Sequence, residues 1–274
     1  NRMAGYIMPR PPKPQGQPTR GKTALNRLRQ VDNFICLAWG HSLSAKAPLL
    51  VDVGYGEYAW TALEMHTRLQ AINPNCRLLG IEIDPIRVKN ALPHVNPPQI
   101  DFRLGGFNIT DILGDKPATL IRAYNVLRQY DESAVGDALN TMADALCDGG
   151  LLIEGTSTPT GRIVAFDVYQ KKQDALIHRQ LVFGTNFRHA DTPTEFQAIL
   201  PKRLIHHAYD DDVATFFRTW ERGFNLARGA GMFHHRRRWG YAVRYLREQG
   251  GYAINTQRRI MGRGYLVLNS PLLP

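Results

Sequence analysis

The sequence is poor in cysteine, in long apolar runs and in acidic residues. Its three cysteines, Cys36, Cys76 and Cys147, lie far apart, and no Cys-x-x-Cys pair or Cys/His cluster joins them. That spacing argues against a disulfide scaffold and against a structural zinc site, so no metal is expected and a reducing, cytoplasmic setting is. No run reaches the roughly 18 apolar residues needed to cross a bilayer, so no transmembrane segment is expected. The first residues are proline-rich and basic without the apolar stretch of a leader, so no signal peptide is expected either. The acidic shortfall is plain: 34 Lys and Arg stand against 24 Asp and Glu, a formal net charge of +10. Such a balance favours anionic partners, whether nucleic acid, acidic lipid surfaces or phosphorylated metabolites, without choosing among them.

What is present is an ordinary globular composition, 43% hydrophobic and 21% charged over 274 residues, enough chain for one α/β domain with additions. Residues 1–22 carry Pro9, Pro11, Pro12, Pro14 and Pro18 among Arg10, Lys13, Arg20 and Lys22. They read as a flexible, extended basic arm, either a plain terminus or a grip on a phosphate-rich ligand. Residues 23–47 hold an N-terminal helix over 23–39, where Leu25, Leu28, Val31, Phe34, Ile35 and Ala38 recur at three- and four-residue steps. From 48 to 190 runs an α/β core. Its strands are expected at 49–53, 77–82, 100–104, 118–124 and 150–155, with helices at 58–71, 85–92 and 131–147. An antiparallel pair follows at 162–169 and 179–187. Strands spaced by such helices form right-handed crossovers in a parallel sheet, and their near-continuous apolar runs fit burial on both faces. Residues 191–274 read as a mostly helical addition, with helices at 193–204, 211–228 and 234–249 and two short strands at 252–255 and 264–268.

Chemistry concentrates after the first strand, in Asp52-Val53-Gly54-Tyr55-Gly56-Glu57-Tyr58. Gly54 and Gly56 can adopt backbone angles barred to other residues and admit a ligand close to the main chain. The helix beyond them presents its N-terminus to an anionic or carboxylate-bearing group. Gly-x-Gly alone is common in α/β folds. The second strand adds a positional signal, Gly80-Ile81-Glu82-Ile83-Asp84-Pro85. Glu82 ends that strand, where an acidic side chain accepts hydrogen bonds from both ribose hydroxyls of an adenosine group. Asp84 is expected to cap the next helix, with Pro85 in its first turn.

Val-Asp-Val-Gly-x-Gly followed by Gly-Ile-Glu-Ile-Asp resembles the first two motifs of class I S-adenosylmethionine (SAM)-dependent methyltransferases, over roughly residues 48–155. Asn26-Arg27-Leu28-Arg29-Gln30-Val31-Asp32, Arg122 to Tyr130 and Leu152-Ile153-Glu154-Gly155-Thr156 are similar to a group of actinobacterial proteins within that class, a likeness that names no substrate. The resemblance implies a Rossmann-like methyltransferase sheet, with SAM as cofactor and methyl transfer to a small molecule or RNA. It implies that Asp52 orients the turn beside the methionine amino group, that Gly54 and Gly56 face the amino-acid portion, that Glu82 holds the ribose and that Ile83 packs on the adenine. Two departures stand out. Tyr58 falls where the family has a third glycine, where it would narrow the turn or cover the cofactor. Phe102 to Asn108 lacks the acidic residue that contacts the adenine amino group, so Asn108 or a backbone group substitutes.

The loop after the fourth strand borders the methyl group in this family. Here it offers Arg122, Asn125, Arg128 and Tyr130, of which Asn125, Tyr130 and Arg122 are the catalytic candidates. The loop has no Asp/Asn-Pro-Pro-Tyr sequence and no cysteine, against amino-directed and cytosine C5 chemistry respectively. Tyr124 and Asn125 read equally as satisfied strand-end polar groups, and Glu154 as a structural hydrogen-bonding carboxyl. Arg236, Arg237 and Arg238, beside Phe233 and Trp239, suit phosphate contact with RNA or an anionic metabolite, although charge runs are most often solvated faces. Two alternatives stay open: a non-catalytic methyltransferase-fold module binding nucleic acid or protein, and a nicotinamide-dependent oxidoreductase with Ala59 in place of the last fingerprint glycine.

Overall fold

Apolar runs bounded by turn residues become strands wherever both faces can be covered, and five such runs set the frame. The computed structural model describes residues 13–19, 23–189 and 192–272. The sequence-predicted arm over 1–22 therefore lies outside the described residues except for 13–19. Strands β1 (Leu49–Val53), β2 (Arg77–Glu82), β3 (Ile100–Leu104), β4 (Ala118–Tyr124) and β5 (Leu146–Ser157) are mutually parallel. Strands β6 (Ile163–Lys172), β7 (Ala175–Thr185) and β8 (Tyr265–Leu268) continue the sheet antiparallel. The order across it is β3-β2-β1-β4-β5-β6-β7-β8. This is a Rossmann-like α/β sheet whose order reverses between β1 and β4, the place where open sheets bind ligands at the strands' carboxyl ends.

Helices α1 (Arg29–Trp39) and α2 (Trp60–Leu69) cover one face, where Phe34 and Ile35 meet Phe166, Val182 and Tyr265. Short helices α3 (Pro85–Ala91) and α4 (Thr110–Leu113) flank β3. Helix α5 (Val135–Asp144) lies on the opposite face against β1, β4 and β5. Asp84 caps α3 by accepting from Ile86 N at 2.8 Å, and Pro85 fills the first helical position. Over the antiparallel half lie α6 (Pro193–Gln197), α7 (Lys202–Ile205), α8 (Asp211–Gly229) and α9 (His235–Gly250). They close on an aromatic cluster in which Phe183 contacts Phe196, Phe216, Phe217 and Trp220. A last short helix, α10 (Arg258–Met261), leads into β8.

Several expected bounds move, each for a local reason. The first helix starts at Arg29 rather than 23. Asn26 takes a left-handed backbone (φ 59°) because its N–H donates to the Glu64 carboxylate at 2.8 and 3.0 Å. The helix expected over 193–204 is split, with Pro201 standing between α6 and α7. Residues 252–255 form one bridge, Ile254 to Leu268, instead of a strand. Strand β5 outruns its expected ends because Leu146 pairs with Ala118 of β4 at one end and Thr156 and Ser157 pair with β6 at the other. Residues 13–19, expected to be flexible, lie against the carboxyl ends of the strands.

Where the parallel and antiparallel halves join, Glu154 stands opposite Asp167. Both are buried. Burial alone would raise Asp167, but Arg203, donating at 2.8 and 2.8 Å, and His178, at 2.7 Å, hold it below the usual carboxylate range. At Glu154 burial, then the neighbouring Asp167, push the carboxyl up to about 8, against the pull of Arg203 and of the Lys202 backbone N–H. The folded value lies above the ordinary 4.5, so the stabilisation from holding this proton is complete below that value and is lost as pH rises through 8. Glu154→Gln should therefore raise Tm at pH 9 by roughly 2–6 °C, with little effect at pH 5, as read by thermal melts across that range.

Candidate functional site

Chain direction places the ends of β1, β2, β3 and β4 along one crevice, and the glycines shape its floor. Gly54 (φ 69°) and Gly56 (φ 90°) both lie in the left-handed region. A Cβ on Gly54 would come within 2.8 Å of Val126, and one on Gly56 within 2.4 Å of Thr23. Glu82 lies across from this turn. Its Oε2 accepts from Gly56 N at 3.0 Å and its Oε1 from Ile83 N at 2.9 Å. One carboxylate thus fixes the glycine turn relative to the end of β2.

Beneath the turn, Asp52 meets Arg122. The guanidinium donates Nε and Nη2 to the two Asp52 oxygens at 2.9 and 2.8 Å, Nη2 to the Thr61 carbonyl at 2.8 Å, and Nη1 to Asp32 Oδ1. Arg68 grips the other Asp32 oxygen at 2.9 Å. Burial pushes the Asp32 carboxyl up to about 6 against the pull of the two arginines. At Arg122 burial favours deprotonation too, but Asp52 and Asp32 outweigh it and raise its pKa. The guanidinium governs the trio, since a fully buried permanent cation requires carboxylate charge beside it.

The methyl-end candidates separate on inspection. Arg122 is fully buried and its guanidinium is committed to Asp52, Asp32 and Thr61. It supports the crevice from below and presents nothing to an acceptor, which corrects its sequence-based placement at the transferring group. Asn125 does line the inner end of the crevice, with Arg27 and Tyr124. Its backbone is left-handed (φ 60°), and its side-chain amide exchanges hydrogen bonds with Ser157 at 3.0 and 3.3 Å. Tyr130 lines the outer end, near Ile83 and Phe107. Its hydroxyl accepts from Gln17 N; burial raises its pKa, and the bonds from Gln17 and Gln129 oppose that shift. Asn125 and Tyr130 thus line different parts of the crevice.

Asn108 is buried behind Phe107. Its Oδ1 accepts from Gln15 N at 2.9 Å, and its Nδ2 donates to Asp111. Phe107 N donates to Gln15 O at 2.8 Å. Tyr58 is turned outward, stacked on Trp60 with ring centroids 4.5 Å apart; Tyr55 lines the crevice instead.

Sequence reasoning missed Thr19, Thr23 and Arg27, which line the crevice from above. Arg27 donates Nε to Ser157 Oγ at 3.0 Å, and burial lowers its pKa, an effect that Tyr124 opposes. Arg27 falls within the helix expected over 23–39, but it precedes α1, and the left-handed Asn26 turns that segment over the site. No group of three potential metal ligands occurs among the described residues, and none of the helices there is long and apolar enough to cross a membrane.

A second polar feature lies at the same end of the sheet. Helix α9 begins where His235 approaches the carbonyl of Phe187, just past β7. With α10 it borders an open groove of about 580 Å³ lined by His234, Arg236, Arg237, Arg244 and Arg258. Among the described residues no carboxylate lines it. Arg238 does not belong to it. That side chain is buried over the Phe224 ring at 5.0 Å and donates Nε to the Met232 carbonyl at 3.2 Å. The expected trio of phosphate-binding arginines thus loses Arg238 and gains Arg244 and Arg258.

No family model and no curated protein matches the chain. Solved structures do. The plantazolicin methyltransferase BamL, in complex with S-adenosylhomocysteine (SAH) and a desmethylplantazolicin analogue, is 14% identical over 48% of this chain and 46% of its own, with a TM-score of 0.37. An O-methyltransferase family protein from Burkholderia thailandensis is 13% identical over 48% and 38%, TM-score 0.36. The cyclopropane synthase MmaA2 from Mycobacterium tuberculosis is 16% identical over 45% and 41%, TM-score 0.34. This chain thus spans less than half the length of these three. At such identities the likeness concerns the path of the chain, and no residue role is taken from it.

Removing the buried cation tests its assignment as support. Arg122→Met should cost about 3–5 kcal/mol of unfolding free energy by stripping Asp52 of its cation and leaving Asp32 to Arg68 alone, measured by urea denaturation. A variant of wild-type stability that failed only in turnover would return Arg122 to the catalytic list.

Proposed function

We propose that the chain transfers a methyl group from SAM to RNA. The observation that carries the cofactor reading is the bond between Glu82 and Gly56: a strand-end carboxylate locked to a glycine turn at the sheet's switch point is a ribose and amino-acid cradle in one piece. The residues fit an adenosine compound. A Cβ cannot be placed on either turn glycine without a clash, and Asn108 Oδ1 and Phe107 N form an acceptor and donor pair beyond Ile83.

On this reading Asp52, Gly54 and Gly56 hold the amino-acid portion, Glu82 the ribose, and Ile83, Phe107 and Asn108 the adenine. SAM supplies a sulfonium-activated methyl group. The chain's part is alignment. Asn125, locked by Ser157, and Arg27 border the inner end where an acceptor enters. Asp52 is bound to Arg122, and Glu82 accepts from the N–H groups of Gly56, Ile83 and Asp84 and from Arg87. Arg27 makes that end electropositive and favours an anionic approach.

The arginine-lined groove along α9 and α10 supports RNA over a small metabolite. Its arginines spread over two helices, matching a row of phosphates better than a single anion. SAM binding by calorimetry should be saturable and weaken about tenfold or more in Glu82→Ala, given the worth of charged hydrogen bonds. RNA binding should fall steeply with salt. Replacing Arg236, Arg237 and Arg244 by Gln should reduce the slope by about one for each lost phosphate contact. SAM transfer to small anions with no salt-dependent RNA binding would replace RNA with a metabolite.

A further inference from the structure

Resting on the SAM reading, we propose that residues 13–19 are an intrasteric plug: the peptide group of Gln15 occupies the subsite for the cofactor's adenine edge, and cofactor binds by displacing it. Adenine offers an amino N–H donor beside a ring-nitrogen acceptor. Gln15 offers the same pair to the same partners, its N–H donating to Asn108 Oδ1 at 2.9 Å and its carbonyl accepting from Phe107 N at 2.8 Å. The next residue fills the space of the ring itself. A Cβ on Gly16 would stand 3.7 Å from Ile83 Cδ1 and 3.8 Å from Phe107 Cε2, the two side chains between which a flat base would lie. A lid closing over a bound base leaves the base's hydrogen-bonding partners free; this segment consumes both.

The rest of the segment is anchored by groups that differ from those of the adenine subsite. Gln17 N donates to the Tyr130 hydroxyl, and Gln129 Nε2 donates to Gln17 O at 3.0 Å. Arg87 donates to Thr19 Oγ1 at 2.8 Å and to Thr19 O at 2.7 Å, with Glu82 3.4 Å away. Thr19 is thereby tied down beside the ribose carboxylate, and Glu82 is only 1% exposed. The room left in the two halves of the crevice is about 40 and 20 Å³, a few water molecules' worth against the roughly 300 Å³ or more of a small-molecule site. Docked segment and bound cofactor are mutually exclusive, so the apparent affinity is the intrinsic one scaled by the fraction of molecules with the segment undocked.

Gly16 provides the handle. Its φ of 133° is a conformation that β-branched residues do not adopt, and a Cβ there would press on the Tyr130 hydroxyl at 3.0 Å, so Gly16→Val disfavours the docked segment while leaving every residue of the crevice walls unchanged. Gln15→Pro deletes the N–H that Asn108 accepts. The probe is SAH, with binding measured by calorimetry and exchange of the Gln15 and Gln17 amides followed by NMR on the full chain. Both variants should bind SAH about tenfold or more tightly than the wild type, and in the wild type SAH should speed exchange of those two amides. If wild type and variants bind SAH equally, or if SAH slows the exchange, the segment is a lid or a bystander and the plug is overturned while the cofactor reading stands. If neither the wild type nor either variant binds SAH, the cofactor reading falls and the plug with it.

Discussion

One buried guanidinium sets the geometry of the crevice. Arg122 projects from β4 to bind Asp52 on β1, Asp32 on α1 and the carbonyl of Thr61 on α2. A charge taken out of water is tolerated only when its donors are matched, and this one joins two strands and two helices. The alignment of β1 with β4 at the switch point, and the way α1 and α2 sit over it, follow from satisfying that cation. Glu82 continues the same logic one strand further, its carboxylate taking up the Gly56 N–H. Charge-assisted bonds run from Arg68 through Asp32 and Arg122 to Asp52 beneath the crevice, and a separate one from Glu82 holds the glycine turn.

The core strands and the principal motif were legible because their signals are local. The apolar runs at 49–53, 77–82, 100–104 and 118–124 coincide with β1 to β4, and Asp84-Pro85 reads as the helix start that it is. Gly54, Gly56 and Glu82 were picked out by spacing, and chain direction brings them together. What escaped was long-range. Nothing in the neighbourhood of Arg122 reveals that Asp32 and Asp52 converge on it, so it read as a catalytic candidate bordering the methyl group. Arg238 sits in a run of arginines yet turns inward over Phe224, because the helical repeat places it on the same side as the buried Trp239 and Ala242. Residues 13–19 carry the compositional mark of an extended arm, and extended backbone is what they are. Their partners are Asn108, Phe107 and Tyr130, roughly a hundred residues away, and no local pattern announces such pairing.

Charge distribution links the site to an acceptor. The crevice carboxylates are bound to arginines or to backbone N–H groups, whereas among the described residues no carboxylate lines the α9–α10 groove. Both open at the same end of the sheet, since β7 runs in the direction of β5 and delivers α9 beside that end. On the reading proposed above, the groove draws a polyanion to the same end of the sheet as Arg27 and Asn125, whose part is alignment.

The central claim is that the Gly54–Gly56 turn and the strand ends beside it form an adenosyl-cofactor cradle. Amide chemical shifts during titration with SAH test it most directly. The account predicts saturable shifts at Gly56, Ile83 and Phe107, absent when NAD replaces SAH. Shifts confined to other parts of the chain, or an equal response to NAD, would contradict it.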